Sequence, residues 1–189
     1  INLLLNMLTL KYLLNSGEKV GLKQLTKILS AGMQQCETDT QKKEFGMQAM
    51  TVYDYKDDEE IDQYLKHGDM QKYYSNLIHQ DETTLVKNIV WNPQVETPIH
   101  GHSCQGCWVL CLEGQLVEKV YENSEGDATL LETKTVNPGE VTYMHDSIGF
   151  HTIENPSDMT PAVTLHCYHP PYDSTSVLTE EGKIDVMAC

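Results

Sequence analysis

The chain has 189 residues, 40% of them hydrophobic and 22% charged, the balance of a soluble globular protein able to bury a core. A formal charge of −15, from 28 acidic against 13 basic residues, sets aside nucleic acid and an anionic membrane surface as main partners. All 13 basic residues are lysine, so a bound carboxylate must be held without a guanidinium fork, by lysine, backbone N–H groups, hydroxyls or a metal.

The first stretch, residues 1–14, carries Asn2, Asn6 and Lys11 and is far shorter than the roughly 20 residues of a membrane span. It lacks a basic n-region and a small-x-small cleavage pattern, so it reads as a helix rather than a signal peptide. The chain starts without a methionine, and the expectation is that the natural N-terminus lies upstream. Leu3, Leu4, Met7, Leu8 and Tyr12 form one apolar stripe; Leu22, Leu25, Ile28 and Leu29 form a second that ends at Gly32, and both are expected to face a core. A weaker helix runs through Phe45, Met47 and Met50. Another is expected from Asp57 as N-cap through Ile61, Tyr64 and Leu65 to Gly68. From residue 85 the period changes to short β-rich runs at 85–91, 107–112, 115–121, 129–136, 141–144, 150–153 and 162–168. Glu113-Gly114 reads as a tight hairpin and Asn137-Pro138-Gly139 as a turn. The expectation is one domain over 1–189, mostly β: a mainly helical part, 1–80, packed outside a barrel with a C-terminal extension, 81–189.

The chemistry concentrates in the β region. His100-Gly101-His102 puts two imidazoles at i and i+2, on one face of a strand, where both can reach one metal ion, and Gly101 permits close approach. His151, placed after the turn Ser147-Ile148-Gly149, is the candidate third ligand. Cys104-Gln105-Gly106-Cys107 is a C-x-x-C that, with the two histidines, offers a rival structural zinc site. Six cysteines are too few for a disulfide scaffold of this size and point to a reducing, cytoplasmic compartment. His145 and His169 are weaker candidates to line the site, and His67 and His79 read as surface groups.

The spacing of His100, His102, Cys107 and Gly114, followed by His151 and Asn155, resembles the two metal-binding motifs of the cupin superfamily, with Cys107 where cupins usually place a glutamate. That departure leaves three neutral histidines, so a bound Fe²⁺ is expected to keep its full charge. With Trp91, the run Asp146-Ser147-Ile148-Gly149-Phe150-His151, and Thr164-Leu165-His166-Cys167-Tyr168-His169-Pro170-Pro171, the chain resembles the cysteine dioxygenases of eukaryotic type. The resemblance implies a jelly-roll-like cupin fold and one Fe²⁺ on His100, His102 and His151. It implies a thioether between Cys107 and the Tyr168 ring, with His166 hydrogen-bonding to Tyr168 and Thr164 beyond it. It also implies oxidation of L-cysteine by O₂ to 3-sulfinoalanine, in cysteine catabolism and hypotaurine and taurine biosynthesis. The alternatives are another small thiol such as 3-mercaptopropionate, or a zinc-binding cupin without activity.

A facial set of three imidazoles leaves room for an amino-thiol and O₂, and a coordinated thiol is favoured as thiolate. The family grips the substrate carboxylate with an arginine in a Tyr-x-Arg-Asn-Leu context; the matching stretch here is Lys72-Tyr73-Tyr74-Ser75-Asn76-Leu77, with Ser75 at the arginine position. The substrate-binding candidates are therefore Tyr73, Tyr74 and Ser75, helped by a lysine such as Lys72 or Lys87. The His169-Pro170 bond is a candidate cis peptide. The family and the self-repulsion of a −15 charge point to a monomer.

Overall fold

The computed structural model describes residues 2–65, 73–122, 126 and 128–188, with the side chains of 2–6 and 188 left aside. Lys72, His67 and Gly68 lie outside the described residues.

Three helices come first: α1 (Asn2–Ser16), α2 (Leu22–Met33) and α3 (Asp39–Met50). In α2 the four leucine and isoleucine positions of the apolar stripe are all buried. In α1 the buried face is Leu10 and Leu13, whereas Met7, Leu8 and Tyr12 are exposed. Leucine occurs on every side of this helix, so its composition does not define a face. Helix α3 starts at a capping box, in which Thr38 accepts from the Gln41 amide and Gln41 reaches back to the Thr38 amide. The helix expected from Asp57 is a short 3-10 turn, Glu59–Tyr64, capped by Asp58 instead. Asp58 is recruited elsewhere as well, since its Oδ2 accepts the Leu22 amide at 2.6 Å and so closes the start of α2.

Ten strands follow among the described residues: β1 (Tyr73–Gln80), β2 (Leu85–Trp91), β3 (Gly106–Glu113), β4 (Leu116–Tyr121), β5 (Leu130–Val136), β6 (Val141–Met144), β7 (Phe150–Glu154), β8 (Ala162–His169), β9 (Ser174–Leu178) and β10 (Ile184–Ala188). They form a five-stranded antiparallel sheet in the order β1-β2-β8-β3-β6, a three-stranded sheet β5-β4-β7, and the hairpin β9-β10. The expected mostly β, jelly-roll-like architecture is present, and the sheets face each other as a sandwich. Glu113-Gly114 makes no hairpin: β3 and β4 lie in different sheets, and Gly114, at φ +73, turns the chain from one to the other.

Alternation along the strands explains why the five-stranded sheet is buried on both faces. Trp108, Leu110 and Leu112 of β3, with Val163, Leu165 and Cys167 of β8, pack under α1–α3. Cys107, Val109 and Cys111 of β3, with Ala162 and Tyr168 of β8, face the other sheet. The functional side chains project into this second layer. Residues 96–100 run beside β7 as an irregular strand, with the His100 and His151 amides exchanging bonds at 3.0 and 2.9 Å. On the other side of that segment lies β9, whose Ser176 carbonyl accepts the Gly101 amide at 2.8 Å. The C-terminal hairpin thus closes one side of the sandwich.

Candidate metal centre

His100, His102 and His151 bring one nitrogen each within 4.8 Å of one another, and no cysteine joins this cluster among the described residues. His100 and His102 do not sit on a regular strand, as their spacing suggested. They flank Gly101 in an extended segment fixed by the His100–His151 bridge and by the Asp146 carboxylate, which accepts the His102 amide at 2.6 Å. A Cβ at residue 101 would lie 2.6 Å from the Phe150 ring and 2.7 Å from Asp146 Oδ1, so the close approach requires glycine. Gly149 places His151. Its φ is +149, and a Cβ there would stand 2.1 Å from the Tyr121 carbonyl oxygen.

The donor set fits a divalent metal. Nδ1–H of His100 donates to the Pro98 carbonyl at 3.0 Å, and Nδ1–H of His151 donates to Glu118 Oε1 at 2.6 Å, so both rings turn a bare Nε2 inward. The His151 Nε2 and His102 Nδ1 atoms are buried and lack a hydrogen-bond partner, the state of an imidazole nitrogen prepared to coordinate. Burial, together with the neighbouring His151, pushes the His100 pKa down to about 3, and burial drives that of His102 well below its ordinary value. Both rings stay neutral, as metal ligands must be.

Glu118 was not among the residues that the motifs single out. It stands on β4 between Leu116 and Val120, fully buried. Its Oε2 accepts Thr142 Oγ1 at 2.6 Å and pairs with Lys134 Nζ at 2.9 Å. Burial alone would raise its pKa; the bonds and charges of His151, Lys134 and Thr142 outweigh this and hold it at about 2. The candidate ligand set stays all-histidine, with a carboxylate directly behind His151 as its outer partner. The signal for it was present as an acidic residue on the apolar side of an alternating strand.

Beside the histidines lies a cavity of about 380 Å³ between the two sheets, whose wall includes Cys107, His166, Tyr168, Trp91 and Tyr172. Cys107 and Tyr168 are direct cross-strand partners on β3 and β8, and both are buried. Such partners have Cβ atoms roughly 5 Å apart and face the same way. A polar chain runs along β8 and into β2. Trp91 Nε1–H donates to Thr164 Oγ1 at 2.8 Å, Thr164 Oγ1 is 2.8 Å from His166 Nε2, and His166 Nδ1 is 3.0 Å from the Tyr168 hydroxyl. Burial raises the Tyr168 and Cys107 pKa values well above the ordinary ones, so both groups keep their protons. His166 thus stands beside the Tyr168 hydroxyl, with Thr164 beyond it.

These features meet in one family. A family model described as cysteine dioxygenase type I matches residues 15–180. The chain belongs to the cysteine dioxygenase type I family. It is 31% identical to cysteine dioxygenase type 1 of Rattus norvegicus and 30% identical to that of Homo sapiens, each over 110 residues. These matches cover 56% of this chain and 55% of each relative, so the chain spans about half the length of the curated relatives it matches. Among solved structures it is similar to TT1209 of Thermus thermophilus, at TM-score 0.46 and 23% identity over 57% of this chain and 92% of that one. It is also similar to an RmlC-like cupin protein of Desulfovibrio desulfuricans, at TM-score 0.43 and 18% identity over 57% and 91%.

Against this cysteine dioxygenase framework the remaining candidates separate. The C-x-x-C zinc site does not form: the Cys104 thiol donates to the Gly106 carbonyl, and Cys107 faces Tyr168. His145 pairs with Ser147, His169 with the Thr83 carbonyl and His79 with Asp81, and none of them lines the cavity. Tyr73 and Ser75 of β1 face the cavity, whereas Tyr74, one residue out of phase, does not line it. The His169-Pro170 peptide is cis. Tyr172 and, from the C-terminal hairpin, Thr175, Val177 and Met187 complete the wall. Their segment follows the motif-bearing strands and carries only weak alternation.

Proposed function

We propose that the protein is an iron-dependent thiol dioxygenase that oxidises L-cysteine with O₂ to cysteine sulfinic acid. The observation that carries the reading is three imidazoles converging within 4.8 Å of one another beside a tyrosine held by its own histidine. Fe²⁺ on His100, His102 and His151 would supply the redox-active Lewis acid at which thiol and dioxygen meet. The reaction balances as R–SH + O₂ → R–SO₂H: the S–H bond is lost, two S–O bonds form, and sulfur gives up four electrons to the two oxygen atoms. No external reductant enters.

The chain's own residues prepare this. Trp91 and Thr164 fix the ring of His166, and His166 in turn fixes the Tyr168 hydroxyl at the cavity wall. Tyr168 thereby offers a proton donor to the reacting sulfur and oxygen in a space closed by Tyr172 and the C-terminal hairpin. Fully buried Cys107 stands against Tyr168, and the proposal includes a thioether between its sulfur and the tyrosine ring. That bond replaces one S–H and one ring C–H; the two hydrogens reduce one O₂ to hydrogen peroxide. A reducing, cytoplasmic setting completes the proposal, supported by five described cysteines that are all free thiols. Among the described residues no helix is long and apolar enough to cross a membrane.

The test is metal analysis of protein purified without added metal, joined to oxygen uptake on L-cysteine and 3-mercaptopropionate. One iron per chain with uptake on L-cysteine is expected. One zinc per chain and no oxygen consumption would overturn the enzyme reading.

A further inference from the structure

A cavity between two apolar sheets tolerates a charge only where something answers it. Among the described residues, the cavity beside the histidines is lined by one lysine, Lys87, and by no aspartate or glutamate. The position is not a surface accident. On β2, Leu85, Ile89 and Trp91 pack into the interior layer and Val86 into the helical layer, so alternation aims Lys87 inward with the former group. Its cross-strand partner on β8 is His166, the residue that holds Tyr168. Lys87 is half-buried, and among the described residues its ammonium has neither a hydrogen bond nor an ion pair. The other lysines with described contacts point elsewhere: Lys119 binds Glu96 and Glu154, Lys134 binds Glu118, Lys183 binds Glu181, Lys42 binds Asp39, Lys19 donates to the Thr51 carbonyl and Lys43 lies over the Tyr143 ring. In a chain of net charge −15, one inward lysine without a protein counterion marks a place for an anion brought by the ligand.

We infer that Lys87 holds the carboxylate of the substrate and sets the preference for amino-thiols that carry one over those that do not. This inference rests on the dioxygenase reading for its substrate. Ser75, on the strand beside Lys87 and lining the same cavity, supplies a hydroxyl donor diagonal to it, since Ser75 pairs with Ile89. Tyr73, whose ring lies 5.0 Å from that of Trp91, walls the same side. A single ammonium is a point charge that does not fix the plane of a carboxylate. It therefore discriminates by charge and accepts small anionic thiols of more than one shape.

The experiment compares the wild type with Lys87→Met and Lys87→Arg, using L-cysteine and cysteamine, which differ only by the carboxylate. In the wild type kcat/KM should favour L-cysteine. Lys87→Met should lower kcat/KM for L-cysteine by roughly 10- to 100-fold, mostly through KM, and change that for cysteamine by less than about threefold. Lys87→Arg should keep most of the preference, and iron content should match the wild type in both variants. A purely structural lysine would instead lower the ligand-free Tm of Lys87→Met and weaken both thiols alike, whereas the anchor leaves the ligand-free Tm equal or higher, since methionine suits an interior face, and weakens L-cysteine alone. An L-cysteine to cysteamine ratio in Lys87→Met within threefold of the wild type would overturn the inference. If the wild type consumes no oxygen with either thiol, the dioxygenase reading fails. Anaerobic equilibrium dialysis of labelled L-cysteine then decides the anchor by itself: at least tenfold weaker binding to Lys87→Met upholds it, and equal binding removes it. Should Lys87→Met not fold, Lys87→Gln serves the same comparison.

Discussion

Replacing Glu118 by glutamine tests whether the carboxylate behind His151 tunes the metal site. Glu118 is fully buried, its Oε1 is 2.6 Å from His151 Nδ1, and Lys134 Nζ lies 2.9 Å from Oε2. Glutamine keeps the shape and a neutral acceptor for the His151 N–H, and removes the charge. A hydrogen bond to a charged partner contributes about 1.5–3 kcal/mol, and loss of a metal ligand's outer partner typically lowers affinity by about 10- to 100-fold. The two figures agree, since each factor of ten is about 1.4 kcal/mol. Glu118→Gln should therefore sit near the tenfold end. Glu118→Ala, which leaves a buried His151 N–H without an acceptor, should sit near the hundredfold end. Released Lys134 adds little, because its side chain is 34% exposed and reaches water. The assay is anaerobic competition for Fe²⁺ against a chromophoric chelator, with circular dichroism to verify the fold. Affinity within threefold of the wild type in a folded Glu118→Gln protein would refute the reasoning.

Three further changes probe other parts of the account. Gly149→Ala should cost roughly 2–4 kcal/mol and abolish iron binding, because the new Cβ meets the Tyr121 carbonyl at 2.1 Å in a φ +149 backbone; thermal melts and metal content report both effects. Asp81 accepts the Thr83 and Thr84 amides at 2.8 Å each in the β1–β2 turn, and Asp81→Ala should lower stability by about 1 kcal/mol, a modest figure because the carboxylate is 36% exposed. Burial would raise the Asp81 pKa, but these bonds with those of Ser30 and His79 bring it to about 2 from 3.8. Its stabilisation is thus complete above pH ~4 and lost as pH falls through 2, so wild-type and Asp81→Ala melting curves should converge over that window. Cys107→Ala should remove the faster-migrating crosslinked species from a denaturing gel and leave slower turnover; a persistent second band would mean that Cys107 takes no part in the crosslink.

Much of the site was legible because short, β-rich runs bounded by turn residues carry it. The second to eighth strands each match a β-rich run of the sequence to within a residue at either end, and His100, His102, His151, Cys107, His166 and Tyr168 all lie on or beside them. The expected hairpin at Glu113-Gly114 failed for a topological reason: a glycine at φ +73 serves a corner between sheets as well as a turn within one. Strand β1 reads as polar, Tyr-Tyr-Ser-Asn-Leu-Ile-His-Gln, because it is an edge strand with little burial to demand alternation. The C-terminal hairpin is similarly exposed, and only its seating against residues 99–101 makes it part of the cavity. Glu118 and Lys87 share a different lesson. Each is a charged residue on the otherwise apolar inward face of its strand, a pattern visible in the sequence, yet only the facing sheet shows that one meets a metal-site histidine and the other an open cavity.

The most direct measurement of the central claim is turnover of iron-loaded protein with L-cysteine under ¹⁸O₂, followed by mass spectrometry of the product. The account predicts cysteine sulfinic acid with both oxygen atoms labelled and consumption of one O₂ per thiol. Cystine as the product, or a sulfinic acid with an oxygen from water, would contradict it.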